Sequence, residues 1–200
     1  MTQPRITQPR IVVMAGSRRR EALSRRVAKA CALALRNAGA EVELIDLDDY
    51  PAPLYDGDLE AASGLPEAIV RLQRLLHASD GLLVVNPEYN GSLTPLLKNT
   101  LDWCSRPNPD DPERSGGKVY AGRAAAVVGS SPGALGGMRV LFHVRDVLGY
   151  LGMQVIPQQL AVGKAGEAVG ADGRLRDAAQ QGMLETLAAA LVDTARRLRG

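Results

Sequence analysis

The 200-residue sequence is long enough for one folded domain, and its 46% hydrophobic and 23% charged residues provide a sizeable core. No apolar run approaches the roughly 20 residues of a membrane-spanning helix, and the N-terminus lacks the apolar segment of a signal peptide. From these two features we expect a soluble, cytoplasmic protein; its formal net charge is only +2.

The charge is unevenly distributed along the chain. Residues 1–36 contain nine Lys or Arg and a single acidic residue, Glu21, whereas acidic residues predominate in the remainder. This asymmetry indicates an anionic partner near the first helix. Nucleic acid, a phosphate-bearing cofactor and simple solvation all remain open at this point.

The chain opens with the tandem repeat TQPRITQPRI, which predicts a flexible tail over residues 1–9. From Arg10 onward, short apolar runs alternate with segments of helical periodicity, and we interpret residues 10–200 as a single domain. The first run, IVVMAG, precedes a helix with apolar residues at Leu23 and Val27. Thr94 and Pro95 are typical of a helix start, and Trp103 within that helix is predicted to pack in the core.

About five strands alternating with helices predict an α/β domain, because right-handed crossovers place helices on both faces of a parallel sheet. At this length we expect a flavodoxin-like three-layer sandwich with strand order 2-1-3-4-5. In such sheets, ligands bind beyond the carboxyl ends of the strands. The loops AGSRRREALS, NPEYNGS and GSSPGALGG follow the first, third and fourth strands, and the predicted order makes these strands neighbours.

The first of these loops has the composition of an anion site. Gly16 and Ser17 are expected just before a helix N-terminus, where free N–H groups favour phosphate. Ser24 adds a hydroxyl group, and Arg19 adds a guanidinium group that can donate two hydrogen bonds to phosphate oxygens. The alternative is that Ser17 only caps the helix and that the arginines are solvated.

Four segments in this order, GSRRREALS, PAPLYDGDLE, NPEYNGSLTPLLKNTLDWCSRP and SSPGALGGMRVLFHVRDVL, resemble the NADPH-dependent FMN reductase family. This flavodoxin-like group includes chromate, quinone and azo-dye reductases. The resemblance implies bound FMN, reduction by NADPH or NADH, and a homodimer or homotetramer. It also implies that Lys98, Asn99, Asp102 and Arg106 are interface residues.

The resemblance also assigns site residues. One departure from the family pattern is Ala22, which replaces a phosphate-loop serine; Ser24 or an extra arginine, Arg18 or Arg20, would compensate. A turn that presents backbone N–H and C=O groups suits the polar edge of a flavin ring. The predicted FMN-binding residues are Gly16, Ser17, Arg18, Arg19, Ser24, Pro87, Glu88, Tyr89, Asn90, Gly91 and Ser130.

The predicted reaction is hydride transfer from the nicotinamide to FMN, followed by electron transfer to a quinone, free flavin or another small acceptor with ping-pong kinetics. No protein residue is predicted to be catalytic. The alternatives are an FMN-binding electron carrier or redox-responsive partner protein with little NAD(P)H turnover and, less favoured, a nucleic-acid or polyanion binder. We expect no metal at Asp46, Asp48 and Asp49, and no nucleic-acid or membrane partner. Cys31 and Cys104 are predicted to be core thiols, and His77 and His143 to be surface or interface residues.

Overall fold

The computed structural model describes residues 8–199 of the chain. The predicted tail, residues 1–9, therefore lies almost entirely outside the described residues. The strands are β1 (Arg10–Ala15), β2 (Glu41–Ile45), β3 (Gly81–Pro87), β4 (Ala124–Ser130) and β5 (Gln154–Val162). The helices are α1 (Leu23–Asn37), α2 (Gly57–Ser63), α3 (Glu67–His77), α4 (Pro95–Cys104), α5 (Met138–Tyr150) and α6 (Ala178–Leu198).

The five strands form one parallel sheet in the order β2-β1-β3-β4-β5, which confirms the flavodoxin-like prediction. Alternate residues of β1 enter different cores, because successive side chains of a strand point to opposite faces. Ile11 and Val13 pack with α1 and α6, whereas Val12 and Met14 pack with α3, α4 and α5. The sheet is thus covered on both faces, and its carboxyl edge is left for the connecting loops.

Two helices differ from the sequence expectation. The segment DLDDYPAPLYDGDLEAASGLP, residues 46–66, is rich in Pro, Asp and Gly and predicts a loop. The helix α2 lies inside it and begins after Asp56, whose side chain accepts hydrogen bonds from the N–H groups of Asp58 and Leu59. None of its residues is buried, so it leaves no apolar period in the sequence. The helix α1 begins only at Leu23, so Gly16 and Ser17 are separated from it by a loop.

The segment before α2 is attached to α4. The indole Nε1 of Trp103 donates to the Pro53 carbonyl at 2.8 Å, and Asn99 bonds the backbone of Pro53 and Tyr55. Arg106 forms an ion pair with Glu60 at 2.8 Å. The prediction that Trp103 has a packing role is confirmed, since its side chain is fully buried.

Both cysteines are buried core residues, as predicted. Burial raises the pKa of the Cys31 and Cys104 thiols to about 12, because the thiolate loses hydration there. Neither thiol is a nucleophile at neutral pH. Among residues 8–199, no helix is both long and apolar enough to span a bilayer.

Candidate functional site

Three loops meet at the carboxyl edge of the sheet, as the strand order predicts. They follow β1, β3 and β4, which are direct neighbours; Ala15 pairs with Val85 in β3, and Pro87 pairs with Ser130 in β4. We call residues 16–22 the first loop, residues 88–94 the second loop and residues 131–137 the third loop.

The first and second loops are joined by a buried polar junction. The Thr94 hydroxyl donates to the Gly16 carbonyl at 2.7 Å and lies 3.1 Å from Asn86 Oδ1. The same hydroxyl accepts a bond from the Leu97 N–H, so the predicted cap of α4 is confirmed. A Cβ on Gly16 would lie 1.8 Å from Asn86 Oδ1, so a larger residue at this position would have to displace the buried Asn86 side chain. The sequence analysis did not identify Asn86 as a site residue, although a polar residue at the end of an apolar strand is a signal of such a role.

The first loop leads into a helix end that retains hydrogen-bonding capacity. The N-cap position of α1 is Ala22, whose methyl side chain cannot accept a hydrogen bond, so the alternative that Ser17 caps this helix is wrong. The N–H groups of Leu23 and Ser24 donate to no residue within 8–199. The Ser24 hydroxyl is buried and has no hydrogen-bond partner in the described residues. A buried hydroxyl without a partner is unfavourable unless a ligand supplies one.

The arginines of this region differ in their pairing. Arg18 pairs with Asp48 and Arg25 with Asp46, so these carboxylates are engaged in ion pairs. The hydrogen bond from Arg18 lowers the pKa of Asp48 below its usual value, which keeps the pair charged at neutral pH. Arg19 is exposed and forms no ion pair with any residue from 8 to 199. Of the two arginines predicted to bind FMN, Arg18 and Arg19, it is therefore Arg19 that is free to meet an anion.

The second loop contains a tight turn. Tyr89 and Ser92 exchange two backbone hydrogen bonds of 3.0 Å across Asn90 and Gly91. Both central residues have positive φ, 51° and 80°, as a type I′ turn requires. Asn-Gly is the residue pair that adopts this turn most readily, and the turn leaves the Tyr89 side chain 45% exposed.

Side chains of this loop hold it against α5. The Glu88 carboxylate accepts hydrogen bonds from the Arg139 backbone N–H and from its guanidinium, both at 3.1 Å. It thereby caps the start of α5, where a negative charge is favourable. Ser92 Oγ lies 2.8 Å from His143 Nδ1 one turn further along. Sequence reasoning missed the role of Arg139, because nothing local relates it to a residue 51 positions away.

At the third loop, the end of β4 presents a second unpaired hydroxyl. The Ser130 Oγ is buried and, like Ser24 Oγ, has no partner in residues 8–199. The loop behind it packs backbone to backbone on the end of β5, since a Cβ at Gly136 would lie 2.6 Å from Gly163 N. The absence of a side chain at Gly136 therefore allows this loop to pack closely against the end of β5.

Comparison with known proteins identifies the family. The profile of the NADPH-dependent FMN reductase family matches residues 9–167. The chain belongs to this family. An NAD(P)H-dependent FMN reductase of Pseudomonas aeruginosa is 35% identical over 170 residues, which is 84% of this chain and 86% of the relative. A quinone reductase of Pseudomonas putida is 34% identical over 84% of both chains.

A solved structure supports the same assignment. FerB, a flavoenzyme NAD(P)H:(acceptor) oxidoreductase from Paracoccus denitrificans, superposes with a TM-score of 0.79 and 28% sequence identity. The superposition covers 94% of this chain and 98% of FerB. As a member of the FMN reductase family, the chain is an oxidoreductase with FMN as cofactor and NAD(P)H as co-substrate.

Proposed function

We propose that the chain holds FMN at the carboxyl edge of the sheet, with its phosphate against the first loop, and passes electrons from NAD(P)H to a quinone, free flavin or another small acceptor. The observation that carries this proposal is two buried, unpaired hydroxyls: Ser24 lies in the uncapped first turn of α1, and Ser130 lies at the carboxyl end of β4. These groups fit a phosphate and a polyol chain, which supply oxygen acceptors and hydroxyl groups.

The proposed phosphate contacts come from the first loop. Ser17 and Ser24 offer hydroxyls, the start of α1 offers free N–H groups, and Arg19 offers an unpaired guanidinium. Gly16 contributes its close packing on Asn86, which fixes the loop. Arg18 would have to leave Asp48 in order to take part, so we assign it a smaller share.

The proposed contacts to the flavin ring come from residues 87–91. Because Glu88 is bonded to Arg139, its contribution is to hold the loop in place. The backbone of Pro87 and of the turn at Asn90 and Gly91 forms the proposed hydrogen bonds to the polar edge of the flavin ring. Tyr89 presents an exposed aromatic face beside that edge. Ser130 completes the rim from β4.

The chemistry supplied by bound FMN is hydride acceptance from the nicotinamide followed by electron transfer to the second substrate, which predicts ping-pong kinetics. The residues of this chain bind and orient the reactants, and none is assigned proton transfer or nucleophilic attack. The similarity of this chain to the quinone reductase of P. putida favours a quinone as its acceptor. We also propose that the chain forms a homodimer or homotetramer, that residues 10–200 fold as a single domain, and that the protein is located in the cytoplasm.

The proposal is tested by separating the two half-reactions. FMN-loaded protein is mixed anaerobically with NADPH or NADH, and the flavin absorbance is followed; benzoquinone is then added. We expect the nucleotide to bleach the flavin absorbance and the quinone to restore it fully. In steady state, double-reciprocal plots of initial velocity at different quinone concentrations should give parallel lines. Retained FMN that neither nucleotide bleaches would contradict a reductase and favour an electron carrier.

A further inference from the structure

The outer face of α5 carries large apolar side chains that remain exposed in the folded chain. The opposite face of this helix is buried in the core. On the outer face Phe142 is 56% exposed and Tyr150 is 92% exposed, and Leu135, in the turn that precedes α5, is 53% exposed. Their spacing of seven and eight residues places them on one side of the helix. A row of exposed apolar side chains on one face is typical of a protein interaction surface.

Two opposite charges lie on the same face. The side chain of Arg139 is 63% exposed and uses one guanidinium nitrogen on Glu88, which leaves further N–H donors for a second carboxylate. Asp146 is exposed, and its side chain forms no hydrogen bond or ion pair with any residue from 8 to 199. Because seven residues of a helix extend about 10 Å, Arg139 and Asp146 of one chain do not reach each other. Each of the two therefore retains capacity for a partner of opposite charge.

We propose that two copies of the chain associate through this face, with their α5 helices antiparallel about a two-fold axis beside Phe142. A two-fold interface must be self-complementary, and this face is. Arg139 and Asp146 lie at nearly equal distances before and after Phe142, so Arg139 falls opposite the partner's Asp146. By the same symmetry Leu135 falls opposite the partner's Tyr150. Phe142 lies at the axis, where aromatic side chains contribute most to an interface. This inference rests on the homo-oligomer of the proposed function.

The interface connects the partner to the second loop of the proposed flavin site. Arg139 donates to the Glu88 carboxylate from its backbone N–H and its guanidinium, both at 3.1 Å. The partner's Asp146 binds the same guanidinium from the other side, which restrains its motion and thereby the attachment of the loop to α5. We expect the N–H groups of Tyr89 and Ser92 to exchange with deuterium at least about fivefold more slowly in the assembled protein than in D146R.

The test is sedimentation velocity of the FMN-loaded chain over a dilution series. The variants D146R and R139D each place like charges opposite one another, so each alone should lower the mass of the assembly about twofold. A one-to-one mixture of the two should restore it, because both contacts then join opposite charges. The control D193R reverses an exposed carboxylate on α6; it should keep its assembled mass and should not rescue R139D.

A mixture of D146R and R139D that fails to reassemble would overturn the inference, as would an unaltered chain that sediments as a monomer at every concentration. F142S should weaken association at least about tenfold, whereas M183S, which removes a similarly exposed side chain of α6, should not. If D146R kept its full assembled mass, the inference would be wrong while the proposed homo-oligomer would stand on another face. Bleaching by NADPH or NADH tests the proposed reductase activity separately.

Discussion

The first and second loops are both polar and lie side by side, but they use their polar groups differently. In the second loop, Glu88 and Ser92 are bonded to α5. Near the first loop, Ser24 Oγ and the N–H groups at the start of α1 have no protein partner within residues 8–199, and Arg19 forms no ion pair there. The second loop is thus fixed by its own side chains, whereas the first retains capacity for a ligand.

This difference separates two roles that the sequence presents alike. A polar group that is satisfied within the protein contributes to stability, and its removal should weaken folding. A buried polar group without a partner weakens the free protein and is satisfied only when ligand binds. Substitutions in the two loops should therefore change stability and FMN affinity in different proportions.

The largest effect is expected at the junction of the two loops. In Gly16→Ala, the new Cβ would lie 1.8 Å from Asn86 Oδ1 and 3.0 Å from Thr94 Oγ1, so it would displace the buried side chains that form the junction. We expect the free energy of unfolding to fall by about 3 kcal/mol, the upper end for overpacking, and FMN retention to be lost. Urea unfolding and gel filtration measure both. Gly182→Ala is the control, since its Cβ meets nothing within 4 Å; equal damage there would contradict the junction.

The next effect concerns the unpaired hydroxyls. Ser24→Ala and Ser130→Ala should each lower FMN affinity about tenfold, while the stability of the free protein stays the same or rises by up to about 1 kcal/mol. The matched control is Ser79→Ala, at the opposite edge of the sheet. Its buried hydroxyl donates to the Leu76 carbonyl at 2.7 Å, so this variant should lose stability and keep FMN affinity. A Ser130→Ala protein that follows the control instead would rule out a ligand contact.

A smaller effect distinguishes two adjacent arginines. Arg19→Ala should weaken FMN binding about tenfold, and Arg18→Ala less than threefold, because Arg18 is already bound to Asp48. Fluorescence titration of FMN at about 0.1 M salt gives both constants. The reverse order would mean that Arg18 exchanges Asp48 for the phosphate.

The smallest effect is expected in the second loop. Glu88→Gln removes the charge that caps α5 from a side chain that is only 14% exposed, so stability should fall by about 1 kcal/mol. FMN affinity should change less than threefold if, as we propose, Glu88 holds the loop through Arg139 and does not contact FMN itself. Glu185→Gln, which breaks an exposed pair with Arg174, should be nearly neutral. If Glu88→Gln lost FMN without losing stability, the side chain would be a ligand contact.

Much of the fold follows from the sequence, because apolar periodicity and the Thr94–Pro95 start mark buried elements directly. The helix α2 does not follow, since a short exposed helix without buried residues has no apolar pattern. The loops of the site could be placed by strand order alone. The hydrogen bonds within these loops could not be predicted. Thr94 bonds to Gly16, which is 78 positions away, and Glu88 bonds to Arg139, which is 51 positions away. Such contacts are set by packing, and local sequence carries no record of which arginine is engaged.

The central claim, that the first loop binds the phosphate of FMN, is tested most directly by comparing FMN with riboflavin, which has the same ring and ribityl chain but no phosphate. Fluorescence titrations of the purified protein give both dissociation constants. We predict that FMN binds at least about 100-fold more tightly, since a phosphate would satisfy several donors at once. Equal affinity for the two flavins would contradict the claim.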